Sequence, residues 1–154
     1  LYARPYWKRS PTSELSGQHV YFVPAAGGTP QVVITDFKQP NGLIGTPDGK
    51  TLYVADIGAG KTWRYEVQAD GSLRNKHLFC ELGSDGMTLD SEGNVYLTGK
   101  GVTVFNRDGR QIEHFNIPEG WTANVTFGGK NRDLLFVTAG KSIYGARLRV
   151  KGAQ

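Results

Sequence analysis

The chain has 154 residues, 38% of them apolar and 21% charged, with a formal net charge of +4. That is the length of one domain with enough apolar content to bury a core, and no apolar run approaches the ~20 residues of a membrane span. The basic residues are scattered rather than gathered, so nucleic acid is not an expected partner. A single cysteine, Cys80, excludes an internal disulfide and a multi-cysteine metal site.

The chain opens on Leu1-Tyr2-Ala3, with neither Met nor a signal pattern, and reads as the tail of a strand within a longer protein. Arg4 to Pro11 follows as a basic, aromatic loop bounded by prolines. His19–Val23 and Gln31–Thr35 are β-branched and aromatic runs split by a Gly-Gly-Thr-Pro turn signal. Four strands are then expected near 41–46, 51–55, 62–67 and 75–80, and four more near 86–90, 94–98, 101–106 and 111–117. Three close the chain, near 123–127, 133–138 and 142–150. Turns such as Pro47-Asp48-Gly49 and Arg107-Asp108-Gly109 separate them. No apolar spacing long enough for a helix occurs.

The strands repeat. Asn41-Gly42-Leu43, Asp85-Gly86-Met87 and Asn124-Val125-Thr126 each open a unit, 44 and 39 residues apart. A period near 40 with several short strands per unit marks the blades of a β-propeller. The expected fold is all-β, a partial propeller of two complete and two partial blades over residues 1–154, its first blade lacking the inner strand and its last the outer one.

Ala55-Asp56-Ile57-Gly58-Ala59-Gly60-Lys61-Thr62 imitates a phosphate-binding loop, but such a loop needs its Lys-Thr to open a helix. Here Thr62-Trp63-Arg64-Tyr65 has a strand pattern, so the glycines are read as a turn. The acids Asp48, Asp56, Asp70, Asp90 and Asp108 sit in or beside turns and are read as structural. Cys80 is read as a buried small hydrophobe, not a nucleophile. No Ser-His-Asp arrangement is visible.

Asn41, Asp85 and Asn124 form the stronger constellation. Inner strands of a propeller start at the same end of the central channel, so residues heading them converge. A carboxylate with amide oxygens suits a hard divalent cation, Ca²⁺ foremost, with Zn²⁺ and Mg²⁺ less closely matched. The competing view is that Asn-Gly and Asp-Gly merely begin turns. Tyr6, Trp7 and Arg9 in the early loop, and Trp121 and Asn124 at the third inner strand, are expected at the rim as candidates to touch a substrate.

With these phrases, and with Thr126-Phe127-Gly128-Gly129-Lys130-Asn131, the chain resembles the gluconolactonase and senescence-marker-protein (regucalcin) family over nearly its whole length. The resemblance implies a six-bladed propeller with one divalent cation in its channel and hydrolysis of a small sugar lactone. It carries metal ligation onto Asn41 and Asp85, and gives Asp85 a second role as general base. The family's glutamate ligand from the first blade, and its Arg and Asn that touch substrate, have no counterpart here. The chain therefore resembles the C-terminal half of such an enzyme. It is expected to be inactive until an N-terminal half, or another copy, closes the ring. The resemblance also favours an exported protein, periplasmic or secreted, over a cytoplasmic one. The alternative reading is a non-catalytic propeller scaffold or cation-binding protein, and a further one is a propeller of the strictosidine-synthase-like kind.

Overall fold

A computed structural model of the chain describes residues 2–3 and 17–153. Their strands fall into four antiparallel sheets that follow one another in sequence. The first holds β1 (Tyr2–Ala3), β2 (Val20–Phe22) and β3 (Gln31–Ile34). The second holds β4 (Pro40–Gly45), β5 (Thr51–Asp56), β6 (Lys61–Val67) and β7 (Leu73–Cys80). The third holds β8 (Met87–Leu89), β9 (Val95–Gly99), β10 (Gly101–Phe105) and β11 (Gln111–Phe115). The fourth holds β12 (Thr122–Gly128), β13 (Leu134–Ala139) and β14 (Ser142–Arg147). Each sheet is ordered as its strands occur in the chain, the meander of a propeller blade. The expected pattern of two whole and two partial blades is thus the observed one.

Hairpin turns set the register. Pro47-Asp48-Gly49 folds β4 onto β5, with Gly49 at φ +68°, a value that costs glycine nothing. The Asp48 carboxylate accepts from the Thr46 hydroxyl at 2.6 Å and from the Lys50 amide at 3.1 Å, which holds it below the usual carboxylate range. The segment that imitates a phosphate loop is likewise a turn: Lys61 and Thr62 lie in β6, and the Thr62 hydroxyl donates to Leu82 O at 2.7 Å. No helix follows, so no amide dipole faces an anion there.

Blades stack through three apolar layers. Val20, Ile34 and Phe37 meet Leu52, Val54 and Tyr65 between the first and second blades. Tyr53, Ala55, Phe79 and Cys80 meet Met87, Leu89, Val95, Leu97 and Phe105 between the second and third. Tyr96, Val102 and Val104 meet Val125, Leu135 and Val137 between the third and fourth. Each fully buried Val or Leu contributes about 1.5–3 kcal/mol, so these layers fix how the inner strands sit side by side. Cys80 is buried in the middle layer, as its strand position implies, and burial pushes its thiol up to about 11.

The chain end departs from expectation. β14 stops at Arg147 rather than near 150, because the tail turns back beneath β12. Gly152 N donates to Arg132 O at 2.8 Å, and the tail then bridges to the third blade, with Ala153 N on Leu89 O at 3.0 Å and Ser91 N on Lys151 O at 2.7 Å.

Candidate functional site

Asn41 is the second residue of β4 and Asp85 lies two residues before β8, so the two stand at the same end of adjacent inner strands. Asn41 Nδ2 donates to Asp85 Oδ1 at 2.9 Å across the blade boundary. The following glycines make this approach possible. A Cβ on Gly42 would lie 3.0 Å from Asp85 O, and the Gly42 amide itself donates to Ser84 O at 3.2 Å. A Cβ on Gly86 would strike the Asn124 side-chain amide and come within 2.8 Å of the Asn124 Cα. Neither glycine has positive φ. The glycines of Asn-Gly and Asp-Gly here serve the close packing of neighbouring inner strands.

Behind Asp85 lies a buried polar net. Ser84 Oγ accepts from Thr98 N at 2.8 Å and donates to Gly86 O at 2.6 Å. Thr98 Oγ1 accepts from Gly86 N at 2.8 Å and shares its proton between Gly86 O at 2.9 Å and Ala123 O at 3.2 Å. The backbone on both sides of Asp85 is therefore clamped, and buried polar groups satisfied in this way hold a single geometry. In the second blade Asp56, the last residue of β5, secures the approach to the inner strand in a different way. Its carboxylate accepts from the amides of Lys38, Gln39 and Ala59 at 2.8–3.2 Å and fixes the approach to Asn41.

Trp121, expected at the rim, turns its indole N–H onto Asp85 Oδ2 at 3.0 Å. Both carboxylate oxygens of Asp85 thus accept one bond each, and each keeps a further lone pair for a ligand. Asn124 sits against Gly86, but its Oδ1 accepts from its own neighbour's amide, Val125 N, at 2.8 Å. Beyond it, a cavity of about 430 Å³ runs along the inner strands, lined by Ile44, Met87, Thr88, Asn124, Thr126 and Phe136. The expected substrate contacts Tyr6, Trp7 and Arg9 lie outside the described residues. Ser84 and Thr98 escaped the reading of the sequence; the one available signal was a hydroxyl next to Asp85 and another where the second blade carries Ala55.

The donor set fits a divalent cation in its chemistry. Asp85 supplies a carboxylate, and the Asn41 amide presents its oxygen after a half-turn about its terminal bond, an exchange of two nearly isosteric ends. Among the described residues no three His, Cys, Asp or Glu side chains cluster to hold a metal.

Residues 7–141 match the SMP-30/Gluconolactonase/LRE-like region, so the chain belongs to that family. It is similar to the pentonolactonase XacC of Haloferax volcanii, 31% identical over 120 residues, with 72% of this chain and 41% of that protein covered. A gluconolactonase from Xanthomonas campestris shares the structure at 29% identity and a TM-score of 0.78, over 94% of this chain and 50% of that one. The calcium-binding protein regucalcin of Agrobacterium tumefaciens shares the fold at 24% identity and a TM-score of 0.76, over 87% and 53% of the two chains. The chain spans half or less of the length of the curated relatives it matches.

Proposed function

We propose that the protein carrying this chain hydrolyses a sugar lactone with the help of one divalent cation, and that Asn41 and Asp85 are part of its site. The observation that carries this reading is the 2.9 Å meeting of Asn41 and Asp85 at the head of two neighbouring inner strands. Membership of the family, and similarity to proteins named for pentonolactone and gluconolactone hydrolysis, support the substrate class.

Asn41 and Asp85 would hold the cation, and oxygen-only donors favour Ca²⁺ over Zn²⁺ or Mg²⁺. When bound, it supplies Lewis-acid polarisation of the lactone carbonyl. Asp85 takes the proton of an attacking water as that water adds to the carbonyl carbon. The ring C–O bond then breaks, the electron pair leaves with the ring oxygen, and a proton returns to that oxygen to give the open hydroxy acid. No covalent acyl-enzyme is needed, because the nucleophile is water itself. Trp121 positions Asp85 by holding Oδ2, and Asn124 and the cavity along β4, β8 and β12 receive the sugar.

The remaining ligands and the closure of the ring come from an N-terminal half of the protein or from a second copy. In support, Ile143 on β14 is 74% exposed, an apolar residue on a face without a neighbouring sheet. The 154-residue chain alone is then inactive. Gluconolactone hydrolysis by the whole protein, measured before and after chelation with metal content recorded, tests the reading. Loss of rate on chelation and its return with Ca²⁺ or Zn²⁺ is expected. Turnover by a metal-free protein contradicts it, and metal binding without turnover leaves the scaffold reading in its place.

A further inference from the structure

At the opposite end of the inner strands from Asn41 and Asp85 lies a second concavity. β4 (Pro40–Gly45) leads from Asn41 to the turn at Pro47-Asp48-Gly49, and β8 (Met87–Leu89) leads away from Asp85 to the turn at Asp90–Asn94. Between these turns a cleft of about 450 Å³ opens, with Thr46, Tyr53 and Arg64 from the second blade facing Asp90, Gly93 and Arg107 from the third. All belong to complete blades.

Its guanidinium groups keep unused donors while its carboxylates are engaged. Arg64 Nε is buried without a partner, and among the described residues neither Arg64 nor Arg107 forms an ion pair. Arg107 is anchored by one bond, Nε to Glu92 O at 2.6 Å, which leaves its two terminal nitrogens to point elsewhere. Both acids of the cleft are occupied by other groups. Asp90 accepts from the Glu92 and Asn94 amides, Asn94 Nδ2 and the Tyr96 hydroxyl, at 2.8–3.0 Å. Asp48 is held by Thr46 and Lys50. The Tyr53 hydroxyl feels both cations: burial raises its phenol above the ordinary value, and Arg64 and Arg107 each pull it back. A buried guanidinium nitrogen left without an acceptor is costly, and planar guanidinium forks match oxyanions in geometry.

We infer that this cleft binds a small oxyanion, a phosphate or carboxylate group, gripped between Arg64 and Arg107 with the Tyr53 hydroxyl beside them. The site lies on the other end of the propeller from Asn41 and Asp85, so it stands or falls independently of the lactonase reading.

The experiment titrates inorganic phosphate into the whole protein at constant ionic strength, read by calorimetry, with sodium chloride as the control. Saturable binding is expected, weakened about tenfold or more by Arg64→Gln and by Arg107→Gln, and less by Arg64→Lys, which keeps the charge and loses the fork. Arg107 is exposed at its turn, so Arg107→Gln leaves the fold intact and decides the matter even where Arg64→Gln unfolds the protein. Gluconate as competitor separates the sources. Displacement of phosphate assigns the site to sugar-acid carboxylates as well, and no displacement assigns it to phosphate; both uphold an oxyanion site. Absence of saturation up to about 20 mM phosphate, or equal affinity in the wild type and both Gln variants, overturns the inference.

Discussion

Gly86 and Asn124 pack so closely that a Cβ on Gly86 would collide with the asparagine amide and reach within 2.8 Å of its Cα. The collision is with backbone as well as side chain, so it is not relieved by a rotamer change. Gly86→Ala is expected to cost about 1–3 kcal/mol by overpacking and to push Asp85 away from Asn41. Gly45→Ala, whose Cβ finds its nearest neighbour at an ordinary 3.7 Å, is the control and changes stability little. Melting temperatures of the two variants check this; equal values would show that the inner strands have room to spare.

Thr98→Val keeps the shape of the side chain and removes the hydroxyl that receives Gly86 N at 2.8 Å. A buried amide left without an acceptor costs about 1–3 kcal/mol. The lactonase reading adds that kcat falls by more than the loss of folded protein explains, while Thr98→Ser, which retains the hydroxyl, restores it. Rates normalised to the folded fraction measure the difference.

Trp121→Phe deletes the indole N–H on Asp85 Oδ2 but leaves an aromatic ring at the rim. Trp121 is 45% exposed, so stability is expected to move by no more than about 0.5 kcal/mol. Loss of a bond that orients a ligating carboxylate lowers metal affinity by about tenfold or more. Calcium titration of the whole protein reads this directly, and unchanged affinity would reduce Trp121 to a rim residue.

Most of the blade pattern was legible before any coordinates, because Pro-Asp-Gly and Glu-Gly-Asn turns punctuate β-branched runs and leave the strands little freedom of register. Asn41 and Asp85 were legible for the same reason: they recur at the head of a repeated strand. The bond from Trp121 to Asp85 was not, since it depends on how the loop after β11 returns across the rim, and no local pattern encodes that path. Nor was the return of Lys151–Ala153 to the third blade, which rests on backbone bonds that any sequence can make. Asn124 was read as a strand head and lies third in β12, and its amide oxygen takes Val125 N, a local choice that spacing does not reveal.

Cys80 supplies a pH test of the middle apolar layer. Burial pushes its thiol up to about 11 in the fold, from about 9 in the unfolded chain. A group raised on folding contributes stability that is complete below pH 9 and is lost as pH rises through 11. Denaturation curves are expected to weaken over that window, less so for Cys80→Ala, which has no thiol to ionise. Alkylation at pH 8 should also be far slower in the folded than in the denatured protein; equal rates would mean that the second and third blades part readily.

The most direct test of the central claim is the lactone-hydrolysis rate of Asp85→Asn in the whole protein, with its melting temperature measured alongside. The variant keeps the size and most hydrogen bonds of Asp85 and loses its basicity and charge. A folded protein slowed by about 10²–10⁴ is the predicted result. A folded variant that hydrolyses lactone within about threefold of the wild type would contradict the claim that Asp85 carries the chemistry.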